Sequence, residues 1–212
     1  MTRILLTGFE PFGGESTNPS LLAVQRVAAG PATPDVQIRI ASLPVVFGDA
    51  IDVMTAAVDE HEPDIVICVG EAGGRVAVTP ERFALNLDDA GFPDNAGRQP
   101  LDHTIVEAAP VAYRSTLPVT DLVQAMRAAG IPAAPSSSAG NYVCNNVFYG
   151  LMHLIATTRP QLVGGFVHVP YMHEQVLDRA DARPSLSIAT ITEAIAISVT
   201  TTVRFRAAQR QG

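Results

Sequence analysis

The sequence contains no lysine: its 14 basic residues are all arginine, and 21 acidic residues leave a net charge of −7. Without lysine, a Walker-type phosphate loop and a Schiff-base mechanism are both excluded. The acidic balance and the lack of a basic run argue against nucleic-acid binding. No apolar stretch looks long enough to cross a bilayer, and the N-terminal residues turn polar too early for a secretory signal. We therefore expect neither a nucleic-acid nor a membrane partner.

Cysteine is also scarce, since only Cys68 and Cys144 are present. Two cysteines do not make a disulfide framework, and a reducing cytosol is the expected location. A G-x-S-x-G elbow is missing, which disfavours a serine hydrolase of the common α/β type. His168 and His173 are too poor in neighbouring ligands to indicate zinc, so we expect no metal and no cofactor.

What the sequence does contain is an alternation of strand and helix patterns. The 212 residues, of which 47% are hydrophobic and 17% charged, favour one globular domain spanning residues 1–212. An alternation of this kind predicts an open α/β sheet with helices on both faces. The predicted strands are 3–7, 36–43, 64–70, 76–87, 131–137 and 162–169. The predicted helices are 18–29, 47–60, 120–129, 188–206 and one that includes the apolar run 147–155.

Cys144 is placed by its surroundings in the first turn of the helix that carries this apolar run. The first amides of a helix have no intrahelical partner and carry partial positive charge. A thiol at this position is expected to have its pKa lowered toward the nucleophilic thiolate. A buried structural thiol is the alternative, and for Cys68, inside the strand 64–70, that alternative is preferred.

A nucleophilic cysteine needs a base, and the base needs a group that holds its tautomer. His168 is a candidate base because it lies near the end of a predicted strand, where open α/β sheets bind ligands. Glu81 is a candidate for the orienting group. Spacing alone does not separate His168 from the other histidines.

Four motifs resemble a known family: TGFEPFGG, ERFALNLDDAGFPDNAGRQPLD, AGNYVCNNVFYGLMH and GGFVHVPY. In this order they resemble pyroglutamyl peptidase I, also called pyrrolidone-carboxylate peptidase, and the resemblance covers nearly the whole chain. It implies a three-layer α/β/α sandwich with a central, mostly parallel, mixed sheet. It also implies a cytosolic, metal-free homotetramer that removes N-terminal pyroglutamate from peptides through an acyl-enzyme intermediate.

The resemblance also assigns roles to individual residues. It implies a catalytic triad of Glu81, Cys144 and His168. The substrate-binding residues that it implies are Phe9, Phe12, Asn18, Glu71 and Tyr142.

Two positions depart from the family pattern. Gly91 stands where members have an arginine associated with the oxyanion region, so Arg75 or Arg82 is expected to take over that role if it is kept. Glu71 stands where some members have glutamine, which puts substrate affinity in question if the contact uses the side chain.

Two other functions stay open on the sequence. A non-catalytic or nucleoside-phosphorylase-like α/β domain would hold phosphate in the glycine-rich loops predicted at 8–14 and 71–75, and a phosphorylase would survive thiol alkylation. A general cysteine aminopeptidase would need an acidic anchor for the substrate amine, and Glu71 is a candidate for that anchor.

Overall fold

A computed structural model describes residues 1–31 and 35–210. The strands are β1 (Thr2–Phe9), β2 (Val36–Leu43), β3 (Ile65–Glu71), β4 (Thr79–Pro80), β5 (Phe83–Leu85), β6 (Ala112–Arg114), β7 (Val163–Val169), β8 (Tyr171–Met172) and β9 (Ser185–Leu186). The helices are α1 (Pro19–Ala28), α2 (Asp49–His61), α3 (Val119–Ala128), α4 (Val143–Thr157) and α5 (Ile188–Gln209). A short 3₁₀ helix spans His173–Gln175.

The central sheet has five strands in the order β2–β1–β3–β7–β4. All neighbours are parallel except β4, which pairs antiparallel with β7. Strands β3 and β7 are buried along their whole length, as expected for parallel strands that are covered on both faces. The carboxyl ends of β1, β3 and β7 therefore meet at one edge of the sheet.

Helices cover both faces of this sheet. Helices α2 and α4 pack together on one face, while α5 packs against α1 and α3 on the other. Alternate side chains of β1 divide between the two cores, because Leu5 joins the α2–α4 side and Ile4 and Leu6 join the other. The structure thus has helices on both faces of the sheet, as the sequence pattern predicted, and the three-layer α/β/α sandwich with a mostly parallel, mixed sheet that the resemblance implied.

The start of α1 agrees with the sequence pattern in detail. Asn18 has an extended backbone, and its Oδ1 accepts hydrogen bonds from the amide (3.0 Å) and the hydroxyl (2.7 Å) of Ser20. Pro19 occupies the first helical position, where the missing amide hydrogen has no cost. The helix therefore begins where the sequence predicted.

Two of the predicted strands are wrong in extent. The prediction of 76–87 is replaced by the short β4 and by β5, which pairs with β6 in a separate two-stranded sheet. The prediction of 131–137 is reduced to isolated bridges at Ala133 and Ser136. Pro132 and Pro135 interrupt this segment, and proline has no amide hydrogen to donate to a ladder.

Helix α5 is long and apolar enough, by length and composition alone, to cross a membrane. This differs from the expectation that no apolar stretch is long enough. In the structure, however, the side chains of Ile191, Ile195 and Val199 are buried in the core that α5 shares with the sheet and α1. The packing is that of a core helix.

Candidate active site

Cys144 is the second residue of α4 and lies in its first turn, as predicted. Its sulfur lies against the Cα of Gly70 in β3, since a Cβ added to Gly70 would be 2.8 Å from Sγ. Any larger residue at position 70 would displace the thiol. Gly70 is paired in register with His168 of β7, so the sheet brings the sulfur and the imidazole to the same edge.

Glu81 holds the His168 ring. Its Oε1 lies 2.8 Å from His168 Nδ1, and both side chains are buried. The chain leaves β4 at this point, and the Glu81 amide donates to Phe166 O (2.9 Å). This bond fixes the Glu81 backbone beside β7, which carries His168.

The pKa directions define the proton positions. Burial alone would raise the pKa of Glu81, but the hydrogen bond and charge of His168 and the charge of Arg75 lower it overall. Burial lowers the pKa of His168, against Glu81, which raises it. Near neutral pH an ionised Glu81 therefore accepts a hydrogen bond from Nδ1–H of a neutral imidazole, which leaves Nε2 unprotonated and able to act as a base.

Arg75 is a further contact of Glu81 that the sequence did not predict. Its Nη1 donates to Glu81 Oε1 (2.6 Å) and to Thr79 Oγ1, and its Nη2 donates to Ser138 O (3.0 Å). The guanidinium therefore neutralises a carboxylate that is fully buried. Arg82, the other candidate for the arginine role, does not line the cavity described next.

A cavity of about 390 Å³ opens beside the Cys144 thiol. All the predicted site residues except Glu81 line it: Phe9, Phe12, Asn18, Glu71, Tyr142, Cys144 and His168. Glu81 lies behind His168 and is fully buried. Within residues 1–31 and 35–210, no group of three His, Cys, Asp or Glu side chains is placed to hold a metal ion.

Aromatic rings form much of the cavity wall. Phe9 is the last residue of β1 rather than part of a loop, and it is buried against Phe166 with ring centroids 6.3 Å apart. Tyr142 precedes α4 and packs against Phe12 (6.5 Å) and Phe92 (4.6 Å). The rings both close the core and leave an apolar face toward the thiol.

The pKa of the Cys144 thiol is not lowered as the helix position suggested. Burial, together with the negative charges of Glu71 and Glu81, raises the pKa of Cys144 to about 12. The partial positive charge of a helix terminus is a small effect that acts over about one turn. Burial and the two carboxylates favour the neutral thiol, against the charge of Arg75, which lowers the pKa of Cys144.

Two asparagines that follow Cys144 hold the helix terminus in place, and sequence reasoning missed both. Asn145 accepts from the Leu85 amide (2.9 Å) and donates to Leu85 O (2.9 Å) and Leu87 O (3.0 Å). Asn146 donates to Asp88 Oδ2 (2.7 Å). The available signal was polar residues at the start of an otherwise apolar helix, where a buried amide needs partners.

Gly91 lies in the loop that Tyr142 contacts through its hydroxyl, which donates to Pro93 O (3.2 Å). A Cβ at Gly91 would meet no atom within 4 Å, so the position has room for a side chain. No other side chain therefore fills the space beside Gly91 that an arginine would enter.

The comparisons with known proteins agree on one family. The sequence model of the family described as pyroglutamyl peptidase matches residues 2–205. The pyrrolidone-carboxylate peptidase of Streptomyces coelicolor is 54% identical over 190 residues, which cover 89% of this chain and 88% of that protein.

Solved structures give the same result. Pyroglutamyl peptidase I of Bacillus amyloliquefaciens superposes with a TM-score of 0.93 at 45% identity, covering 97% of this chain and 98% of that one. A variant of the pyrrolidone carboxyl peptidase of Pyrococcus furiosus gives 0.92 at 41% identity, covering 96% and 99%. By its sequence and its fold, the chain therefore belongs to the pyroglutamyl peptidase family and is a hydrolase of the cysteine-peptidase type.

Proposed function

We propose that this protein removes N-terminal pyroglutamate from peptides, with Cys144 as nucleophile, His168 as general base and acid, and Glu81 as the group that orients His168. The observation that carries the proposal is the arrangement of three side chains at one cavity. Cys144 and His168 both line it, and Glu81 Oε1 lies 2.8 Å from His168 Nδ1.

The chemistry follows from these positions. His168 Nε2 takes the Cys144 proton as the sulfur attacks the carbonyl that joins pyroglutamate to the next residue. The amides of the first turn of α4 are suited to stabilise the oxyanion. The imidazolium then gives its proton to the leaving amine, and a thioester forms between Cys144 and pyroglutamate. Water, deprotonated by His168, attacks the thioester and releases free pyroglutamate and the thiol.

The neutral thiol makes His168 essential to the first step. With the pKa of Cys144 at about 12, very little thiolate exists near neutral pH. The proton must therefore move to His168 as the substrate is attacked, rather than before the substrate binds. General-base catalysis of this kind contributes about 10²–10⁴-fold.

The cavity wall suits an uncharged five-membered lactam. Phe9, Phe12 and Tyr142 offer apolar faces on which the ring can be buried. Asn18 has both lone pairs of Oδ1 occupied by Ser20, and its Nδ2 donates to Glu10 O (3.0 Å), so it contributes to substrate binding as a donor through its second N–H. Glu71 supplies the other polar contact.

The arginine role left vacant at Gly91 passes in this proposal to Arg75. Its side chain lines the cavity, unlike that of Arg82. Because the guanidinium is bound to Glu81 (2.6 Å), it acts on the reaction through the triad carboxylate rather than as a free anion contact.

We further propose one peptidase domain over 1–212, a homotetramer and a cytosolic location. The family match over residues 2–205 and the resemblance support the first two. Exposed apolar side chains at Phe83 (38%) and Val111 (83%), by the two-stranded β5–β6 sheet, offer surface for contacts between subunits. Both cysteines are free thiols, which suits a reducing compartment. Light scattering of the purified protein tests the tetramer.

The experiment that tests the function measures kcat/KM on pyroglutamyl, prolyl and glutaminyl conjugates of one fluorescent amine. We expect pyroglutamyl to be favoured by about a thousandfold or more, because a site that hydrogen-bonds a substrate group rejects analogues lacking it. Phe12→Ala and Tyr142→Ala should weaken all ring substrates, and Asn18→Ala should narrow the difference between pyroglutamyl and prolyl.

Other outcomes identify the alternatives. Comparable cleavage of prolyl conjugates would indicate a general aminopeptidase with Glu71 as the amine anchor. Activity that survives thiol alkylation, depends on phosphate and splits a nucleoside would indicate a phosphorylase.

A further inference from the structure

Glu71 is a buried carboxylate that the triad does not use. It is the last residue of β3, next to Gly70, against which the Cys144 sulfur lies. Only 8% of Glu71 is exposed, and it lines the same cavity as Cys144 and His168. A charge on Glu71 is therefore placed close to the sulfur in a poorly solvated environment.

Gln175 fixes which oxygen of Glu71 can carry a proton. Gln175 Oε1 accepts from the Met172 amide (3.0 Å), so its Nε2 must face Glu71, to whose Oε2 it donates (2.7 Å). Oε2 is thus an acceptor in either protonation state. A proton on Glu71 belongs on Oε1, which accepts no hydrogen bond from any residue that the structure describes.

The surrounding charges do little to offset an ionised Glu71. Behind it, Glu15 and Arg179 form an ion pair (2.6 Å), and Arg179 also lies over the Tyr171 ring. On the cavity side, the Arg75 guanidinium is bound to the triad carboxylate. Cys68, in the same strand as Glu71, is a buried thiol whose pKa is raised to about 12, so it carries no charge near neutral pH.

On the side of the proposed triad, His168 is neutral near pH 7 because burial lowers its pKa. The negative charges of Glu81 and Glu71 both disfavour a thiolate at Cys144. Burial and the charge of Glu15 raise the pKa of Glu71 to about 7, against Gln175 and Arg179, which lower it. The negative charge of Glu71 in turn raises the pKa of the Cys144 thiol. The coupling is reciprocal, as linkage requires.

We propose that the protonation state of Glu71 controls the reactivity of the Cys144 thiol. In this proton switch, neutral Glu71 is the active form and ionised Glu71 slows attack by Cys144. This inference rests on the proposed function, since it concerns the same nucleophile. Neutral Glu71 presents an O–H on Oε1 to the cavity and removes one of the two carboxylate charges, Glu71 and Glu81, that raise the pKa of the thiol. Ionised Glu71 adds a second negative charge where a thiolate and an oxyanion must form. Glu71 is therefore a positioning residue, because it acts on the reaction through Cys144.

The test compares wild type with Glu71→Gln, which keeps the shape and the contact with Gln175 but cannot ionise. The first readout is the rate at which iodoacetamide alkylates Cys144, followed by mass spectrometry from about pH 5.5 to about pH 8.5 around a pKa of about 7. The variant should match wild type at the acidic end and react at least about threefold faster at the alkaline end, which corresponds to half a pKa unit.

The second readout is kcat/KM for a pyroglutamyl amide over the same range. Wild type should lose activity relative to Glu71→Gln as pH rises through about 7, by about threefold or more. The matched control is Glu174→Gln, an exposed acid on the same segment as Gln175, which should follow wild type throughout.

A ratio between Glu71→Gln and wild type that stays constant with pH in both readouts would overturn the proposal. If Glu71→Gln does not fold, the variant Glu15→Gln tests the proposal instead. It removes a charge that raises the pKa of Glu71, so it must move the alkaline decrease to lower pH, and an unmoved profile refutes the switch. Alkylation needs no substrate, so a wild type that cleaves no pyroglutamyl amide at any pH refutes the function while the switch is still tested.

Discussion

Two buried carboxylates act on the Cys144 thiol, and their pKa values move in opposite directions. Glu81 and Glu71 are both buried, at 0% and 8% exposure. The pKa of Glu81 is lowered, whereas that of Glu71 is raised to about 7. Burial favours the neutral acid in both cases, so the difference comes from their partners.

The partners differ in charge. Glu81 faces a guanidinium and an imidazole N–H, through Arg75 (2.6 Å) and His168 (2.8 Å). Glu71 faces a neutral amide, Gln175, whose orientation is set by a backbone N–H (3.0 Å). A buried carboxylate stays ionised when a cation replaces lost water, and an amide is not sufficient. The same residue type is therefore ionised near neutral pH at position 81, whereas at position 71 it titrates near neutral pH.

The largest effect should come from removing the proposed nucleophile and base. Cys144→Ala and His168→Ala should each fold and each lose about three orders of magnitude or more in kcat, as loss of a triad member does. In the double variant the losses should not multiply, since the two residues act as a unit. Steady-state kinetics of the three variants decides the point, and fully multiplicative losses would contradict the shared role.

Glu81→Gln removes the charge of the carboxylate whose pKa is lowered. It should cost about a hundredfold or more in kcat, but less than His168→Ala, because the amide keeps the shape and loses tautomer control. The charge of Glu81 raises the pKa of His168, so its removal should move the acid limb of the pH–rate profile to lower pH. An acid limb that moves to higher pH would mean that Glu81 does not stabilise the protonated imidazole.

Arg75→Gln should move Glu81 part of the way toward Glu71. The variant loses one of the charges that lower the pKa of Glu81, so this pKa should rise, and we expect a loss of up to roughly tenfold in kcat near neutral pH, with recovery at higher pH. Arg159→Gln is a matched control, because Arg159 pairs with an exposed Asp59 far from the cavity and should change little. The pH dependence of kcat for the two variants provides the measurement.

The smallest effect is on stability and belongs to Glu71. Its pKa is raised from the ordinary value of 4.5 to about 7, so the native state binds a proton more tightly than the unfolded chain. Ionisation therefore destabilises the fold as pH rises from about 4.5 to about 7, by at most about 3.4 kcal/mol. Glu71→Gln should gain stability over wild type at about pH 8 and little at about pH 4.

Denaturant unfolding at the two pH values measures this difference, with Glu174→Gln as the control at an exposed site. An equal change at both pH values would show that Glu71 does not titrate in the folded protein. That result would also remove the basis of the contrast with Glu81.

Much of the architecture could be predicted from local pattern. The cap at Asn18, the proline that follows it and the buried runs of β3 and β7 predict elements that the structure contains. The segment around Glu81 could not be predicted in this way. Alternation suggested one long strand, whereas the chain pairs briefly with β7 and then leaves to form the β5–β6 sheet. Pairing partners distant in sequence decide such a segment, and local pattern does not contain them.

In the candidate site, too, some properties follow from local sequence and others from tertiary contacts. The sequence by itself determined that Cys144 lies in the first turn of a helix, because an apolar run preceded by turn residues fixes a helix start wherever the chain folds. Its motifs also determined the family. Only the tertiary structure decided the charge state of the thiol, since desolvation and the carboxylates at positions 71 and 81 come from separate segments. Helix position is a local property, whereas a pKa sums burial and charge over everything that folding brings within a few ångströms.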